Sequence, residues 1–202
     1  YARGFTPWEW HEGLKLVADS IGIELFSSPF DKTAVDLLTD LDMPAYKIAS
    51  AELIELDLIK YAAASGKPLI ISAGSGTISE IQDAIDVVKE EGNLRICLLK
   101  CTSEYPASFQ DMQLNTIPHL GEIFECPVGL SDHSPGASAP IAAVTLGASV
   151  IEKHFTISRE VETVDSFFSL DFEEFKLMVK SVREAEAALG EVSYPVTANQ
   201  AR

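Results

Sequence analysis

Short apolar runs alternate with amphipathic stretches along almost the whole chain, and each run turns abruptly polar at its end. Residues 23–28, 45–50, 68–73, 95–101, 126–131 and 149–154 read as six strands, short and apolar enough to be buried on both faces. The stretches between them have helical spacing and helical punctuation. Thr6-Pro7-Trp8-Glu9 has the form of a capping box with Pro at the first helical position. It opens a helix that carries Trp10, Leu14 and Val17 to about Ile21, where Gly22 stops it. Asp31 is placed to cap a helix over 32–41, a second helix covers 56–64, and Thr77 with Glu80 caps a third. Pro118 interrupts a helix near 112–119, and the Ala-rich segment 137–146 is long enough for one crossover helix. The last helix carries Phe172, Phe175, Val179, Val182 and Leu189 on one stripe and ends at Gly190.

This order predicts an α/β fold with a parallel sheet, either a (β/α)8 TIM barrel or an open doubly wound sheet. Both architectures place their chemistry at the carboxyl ends of the strands. No Gly-x-Gly-x-x-Gly follows any strand. Gly74-Ser75-Gly76, at the start of the Thr77-capped helix, is either an anion cradle of backbone N–H groups or a tight turn.

The strand ends carry the candidate chemistry. Two successive runs, Gly129-Leu130-Ser131-Asp132-His133 and Val150-Ile151-Glu152-Lys153-His154, both end in histidine with one helix between them. Consecutive parallel strands are normally neighbours, so the two imidazoles can converge on one ion, with zinc, manganese or iron all suited to them. Two histidines fall short of a full ligand set, and carboxylate, water or substrate oxygen would complete it. The other reading makes each His a strand-end residue bonded to backbone. Lys47 interrupts the run Tyr46-Lys47-Ile48-Ala49, and a lysine inside a strand is costly unless paired or used. Three uses remain open: an anion clamp, a salt bridge to Glu52, and a Schiff base. Glu52 is itself a candidate general acid or base, and Asp165 lies in the loop after His154, within reach of the same mouth or on solvated surface. Ser50, Ser72, Ser103 and Ser131 also lie at strand ends. Polar residues drawn from every strand are better explained by one shared site than by separate loops.

Composition narrows this picture. A chain of 202 residues with 47% apolar residues suits one domain with a sizeable core, and a net charge of −16 argues against binding nucleic acid or anionic membrane. An anionic substrate would need a local positive site such as Lys47. Cys97, Cys101 and Cys126 lack zinc-type spacing and read as buried thiols of a reducing cytoplasm. No stretch approaches the roughly 20 apolar residues of a membrane span, so a soluble cytoplasmic protein is expected.

Taken together, Phe26-Ser27-Ser28-Pro29-Phe30-Asp31, Lys47-Ile48-Ala49-Ser50, Leu99-Lys100-Cys101-Thr102-Ser103-Glu104-Tyr105-Pro106, Gly129-Leu130-Ser131-Asp132-His133 and Ile151-Glu152-Lys153-His154-Phe155-Thr156 resemble the sialic acid synthase family. The match covers nearly the whole chain in the family's order. The resemblance implies a (β/α)8 barrel that condenses phosphoenolpyruvate with the open-chain aldehyde of an N-acetylated amino sugar, releasing phosphate and forming a nine-carbon 2-keto acid. It implies a divalent metal, Mn2+ with Mg2+ or Co2+ as alternatives, on His133 and His154, acting as a Lewis acid on the aldehyde. Lys47, Ser50, Ser72, Ser103 and Ser131 would bind substrate, and Glu52, Tyr105 and Asp165 would handle the sugar and proton transfers.

By the same resemblance, residues 1–190 form about six of the eight barrel units, and 191–202 lead toward a carboxyl-terminal antifreeze-like domain. The full-length enzyme would be a homodimer. The family's first two strands have no counterpart before Tyr1, so this polypeptide alone is expected to bind metal with little turnover. Arg159-Glu160-Val161-Glu162-Thr163 lacks the glycines usual in the family, and Ala73-Gly74-Ser75-Gly76 replaces a Thr-Gly-Met sequence. The competing functions are a Schiff-base aldolase using Lys47 and a non-catalytic ligand-binding chain.

Overall fold

The computed structural model describes residues 5–194. Five strands, β1 (Tyr46–Ile48), β2 (Leu69–Ser72), β3 (Ile96–Cys101), β4 (Val128–Asp132) and β5 (Val150–Lys153), form one sheet. Every pair is parallel, and the strands lie side by side in chain order. An open doubly wound sheet reverses its strand order at a switch point, and this sheet has no reversal. Of the two predicted architectures, the singly wound barrel arc is the one formed.

The helices are α1 (Trp10–Ile21), α2 (Lys32–Asp40), α3 (Leu56–Ala64), α4 (Ile78–Glu90), α5 (Thr116–Phe124), α6 (Ser138–Thr145) and α7 (Phe172–Leu189). Their ends follow local chemistry. Asp31 accepts from the Ala34 N–H, Thr77 and Glu80 form a reciprocal capping box, and Asp171 and Glu174 form another. Gly22 ends α1 in the left-handed conformation at φ 73°, where a Cβ would be strained.

The register assigns every strand residue to a face. Ile48, Ile71, Leu98 and Leu130 point to the helix side and are buried in one core with Leu38, Ile59, Ile85 and Ile117. Each such side chain, fully buried, is worth about 1.5–3 kcal/mol. Lys47, Ser72, Cys101, Ser131 and Glu152 occupy the alternate positions and share the inward face. That face is concave, because Lys47 Nζ on β1 lies 3.5 Å from Glu152 Oε2 on β5. In a flat sheet those strands would stand about 19 Å apart, at roughly 4.8 Å per strand, with both side chains perpendicular to the plane.

Several expectations are corrected. The strand expected over 23–28 pairs at a single bridge, Ser27 with Tyr46, so the sheet has five strands among the described residues. Nor are the strands buried on both faces: Ile70, Cys97 and Val150 are half-exposed on the concave side. The Thr6-Glu9 capping box does not form, since Glu9 is itself helical in φ and ψ and makes no side-chain cap. The segment near 112–119 splits into a 3₁₀ turn, Phe109–Asp111, and α5, with Pro118 in the first turn, where its missing N–H costs nothing. The apolar stripe of α1 stays exposed at Trp10, Leu14 and Val17, and that of α7 at its two ends, Phe172 and Leu189. The inner part of the α7 stripe is nevertheless covered: Phe175 and Val182 are half-buried where α7 packs on α6, and Phe175 meets the Phe155 ring at 5.5 Å.

Gly129 is where β4 most needs a bare backbone. A Cβ there would overlap the Val150 carbonyl oxygen and stand 2.6 Å from Leu99 Cδ2 and 3.0 Å from the Val150 carbonyl carbon. Two of these atoms are backbone of the neighbouring strand and cannot rotate away. Gly129→Ala should therefore destabilise by about 1–3 kcal/mol, the usual cost of overpacking. Chemical denaturation checks this, and a variant as stable as the parent would contradict the tight β4–β5 approach.

Candidate functional site

The alternation that buries the helix-side residues also collects the polar ones. Lys47 is buried at 7% exposure, and its ammonium donates to Ser72 Oγ (2.8 Å) and to the Ile48 carbonyl (3.0 Å). Glu152 supplies the countercharge, in place of the expected Glu52. Both partners sit on inward-facing positions of the two edge strands, so the pair spans the concavity.

Ser50 and Glu52 lie on a 3₁₀ turn, Ser50–Ile54, directly after β1. Ser50 Oγ accepts the Gly74 N–H at 3.0 Å. A Cβ on Gly74 would stand 2.8 Å from both Ser50 Oγ and Ser103 Oγ, so the absent side chain lets these hydroxyls close around the backbone. Ser75 Oγ lies 3.4 Å from Ser103 Oγ, and Ser131 is buried beside them on β4's inward face. In the loop 74–76 the Gly74 amide is taken by Ser50, and at its end the Thr77 N–H is taken by the Glu80 carboxylate. By contrast, Glu52 Oε2 is buried and accepts no hydrogen bond.

His133 and His154 follow Asp132 and Lys153, the last paired residues of β4 and β5, and return to the inward face together. Their ring centroids are 5.2 Å apart. Tyr105 packs on His133 at 4.3 Å, and Phe168 packs on His154 at 4.8 Å and on Tyr105 at 5.4 Å, forming an aromatic wall around the pair. His133 Nδ1 lies 2.9 Å from the Thr102 carbonyl. A carbonyl only accepts, so Nδ1 carries the proton and Nε2 of the neutral ring keeps its lone pair. Asp165 Oδ2 approaches His154 Nδ1 at 3.6 Å, which places Asp165 at the mouth rather than on open surface.

The two imidazoles titrate in opposite directions. Burial pushes His133 down, but hydrogen bonds to the Cys101 thiol and the Thr102 carbonyl outweigh it and raise its pKa overall. His154 is lowered by burial and by the neighbouring His133. Cys101 itself is held down at about 7, because hydrogen bonds from His133, Ser50 and Ser103 overcome the burial that opposes its charge. Thiol and imidazole thus form a coupled pair at the floor of the site.

Every sequence-predicted site residue therefore lies at one end of the sheet, and two further ones join them. From the sequence Cys101 reads only as a buried thiol, and Glu152 carries no assigned role. The signal for both was parity: counting back by two from His154 gives Glu152, and the register sets Cys101 beside Ser131 and Glu152. For a divalent cation the donor set offers two imidazoles, with Glu152 on the same inward face, its Oε2 ion-paired to Lys47 but accepting no hydrogen bond. No group of three His, Cys, Asp or Glu forms a ready ligand set among the described residues. A cation here would take two protein nitrogens and complete its coordination with oxygen from solvent or substrate.

A singly wound parallel barrel arc, with a buried lysine and hydroxyls facing paired imidazoles across the strand ends, defines a TIM-barrel-type domain with its polar site where that fold places one. The NeuB family profile matches residues 1–194, and the chain belongs to the NeuB family. It is 48% identical over 191 residues to pseudaminic acid synthase of Helicobacter pylori, covering 95% of this chain and 56% of that protein. To N,N'-diacetyllegionaminic acid synthase of Legionella pneumophila it is 42% identical over 186 residues, covering 90% of this chain and 52% of that protein. The chain thus spans little more than half the length of these relatives. Among solved structures, the sialic acid synthetase of Leptospira borgpetersenii in complex with citrate superposes with TM-score 0.90 at 31% identity, covering 96% of this chain and 68% of that one. DAHP synthase of Thermotoga maritima shares the fold at TM-score 0.80 and 20% identity, over 90% of this chain and 56% of that one.

The opposed shifts generate a prediction about the protein without metal. A raised pKa keeps His133 protonated to higher pH, and a lowered one makes His154 lose its proton sooner, so His133 should titrate above His154. Cys101→Ala removes the hydrogen bond and the thiolate charge that help raise His133, and should lower the His133 midpoint. Proton NMR of the imidazole Cε1–H signals reads both. The reverse order, or no response to Cys101→Ala, would contradict the thiol–imidazole pairing.

Proposed function

We propose that this domain binds phosphoenolpyruvate and the open-chain aldehyde of an N-acetylated amino sugar and joins them into a nine-carbon 2-keto acid of the sialic type, releasing phosphate. The named relatives support this class, the pseudaminic acid synthases at 48% identity and the legionaminic acid synthase at 42%. The observation that carries it is the buried Lys47 ammonium, bonded to the Ser72 hydroxyl, on the same concave face as the two imidazoles.

Each residue then has a task. Lys47, with Ser50, Ser72, Ser103 and Ser131, offers one fixed positive charge and a set of hydroxyls to the anionic groups of phosphoenolpyruvate. The inward faces of β1 to β4 hold this substrate with its methylene carbon toward the imidazoles. His133 and His154 would hold a divalent ion, Mn2+ by preference with Mg2+ or Co2+ as alternatives, which when bound supplies Lewis acidity at the sugar aldehyde oxygen. As the enol carbon forms its bond to the aldehyde carbon, that oxygen takes up a proton and becomes a hydroxyl. Water adds to the carbon bearing the phosphate ester, the C–O bond to phosphate breaks, and the 2-keto group remains. Glu52, whose buried Oε2 accepts no hydrogen bond, is the base that takes the proton from water. Tyr105 and Asp165, at the outer rim of the histidine pair, receive the sugar.

The Schiff-base reading of Lys47 is disfavoured by its surroundings. Its nitrogen is engaged by a hydroxyl, a carbonyl and a carboxylate, whereas a Schiff-base lysine sits desolvated in an apolar pocket or beside another cation. No described helix is long and apolar enough to cross a membrane, and the cysteines are free thiols. Cytoplasmic biosynthesis of a surface sugar by a homodimeric enzyme belongs to the same reading.

Calorimetric titration with phosphoenolpyruvate tests it. Lys47→Ala should weaken binding by about tenfold or more, and Lys47→Arg should keep part of it, because a clamp needs charge. Borohydride with a keto acid should leave no covalent adduct on Lys47. Equal loss in both variants together with a trapped adduct would overturn the synthase reading in favour of an aldolase.

A further inference from the structure

Asp132 and Lys153 each immediately precede one of the two histidines, and neither has a task in the site. Being one residue earlier, they point away from the concave face, toward the side that carries Leu130 and Ile151 into the core. Their side chains are 0% and 1% exposed, and Lys153 Nζ lies 2.5 Å from Asp132 Oδ2. Asp132 Oδ1 also accepts the Ser134 N–H at 2.8 Å, and the Lys153 ammonium donates to the Ser134 carbonyl. The residue after His133 is therefore gripped at both backbone polar groups by the residues that precede His133 and His154.

The place of this pair in the ladder matters. Asp132 opposite Lys153 is the last rung between β4 and β5. One step further on, the His133 carbonyl is bonded by the Ala107 N–H and the His154 carbonyl by the Leu170 N–H, so the histidine backbones are not held to each other. The ion pair is the last direct tie between the strands before the imidazoles. Stability alone does not account for it, because a fully buried pair loses so much hydration that apolar residues of similar size often serve as well or better.

We propose that Asp132 and Lys153 are positioning residues: from the reverse face of the sheet they set the separation and orientation of His133 and His154, and through them the affinity of the divalent-cation site. The ring placement stands on the geometry above, while the consequence for affinity rests on the metal reading given under Proposed function. Neither residue touches substrate, so the effect passes entirely through the two imidazoles.

The test compares the parent protein with Asp132→Asn/Lys153→Met, which removes both charges while Asn keeps an acceptor for Ser134, and with Lys153→Arg, which keeps the pair. Three quantities are measured: the thermal midpoint, the nitrogen–proton NMR signature of the His133 Nδ1–H without metal, and Mn2+ affinity by loss of the free-ion EPR signal. The double variant should melt near the parent, lose or shift the Nδ1–H signature, and bind Mn2+ about 10- to 100-fold more weakly, the usual reach of residues behind metal ligands. Lys153→Arg should keep both at the parent's values. An unchanged signature and affinity in a folded double variant would overturn the proposal. Should that variant fail to fold, Asp132→Glu displaces the carboxylate by one methylene and is read the same way. A parent that binds no Mn2+ while its ring signature responds as expected would sink the metal reading and sustain the positioning role.

Discussion

Lys47 puts a full charge on a strand that is otherwise apolar, and the shape of the site follows from how that charge is satisfied. An ammonium taken out of water needs several oxygen partners within reach. Ser72 on the next strand and the adjacent Ile48 carbonyl supply two, and Glu152 on the far edge supplies the countercharge. Only a curled sheet brings β1 and β5 close enough for that. The electrostatic requirement and the barrel curvature are therefore consistent with each other, and both point the polar residues into one concavity.

The two-residue period of a strand does the rest of the sorting. On the helix side, aliphatic residues make a continuous core. On the inward side, the same strands present Ser72, Cys101, Ser131 and Glu152, and the chain leaving β4 and β5 adds the imidazoles. A one-residue slip of any strand would exchange the two sets, burying hydroxyls among aliphatics and exposing isoleucine to substrate. Gly74 and Gly129 show the same economy of space. At each, a Cβ would collide with atoms that line or brace the site.

Most of this was legible in the sequence, because apolar runs ending in polar residues mark parallel strands and their active ends. Helix caps with reciprocal side chains, such as Thr77 with Glu80, were readable for the same local reason. What could not be read depended on distant parts of the chain. Lys47 was paired in expectation with nearby Glu52, while its actual partner lies more than a hundred residues away and is brought in by curvature alone. Cys101 looked like core until the register set it beside the histidine pair. The strand expected at 23–28 has the right composition but only one residue in pairing reach of Tyr46. The stripe on α1 has the period of a buried face, yet periodicity does not say whether a partner surface lies opposite.

The central claim is that one concave face holds both the anion and the cation of a condensation reaction. Diffraction from crystals soaked with Mn2+ and phosphoenolpyruvate, recorded at the manganese absorption edge, tests this most directly. The account predicts one anomalous peak between His133 and His154, with phosphoenolpyruvate density on Lys47 and Ser72 of the same concavity. Manganese bound elsewhere, or phosphoenolpyruvate seated away from Lys47, would contradict it.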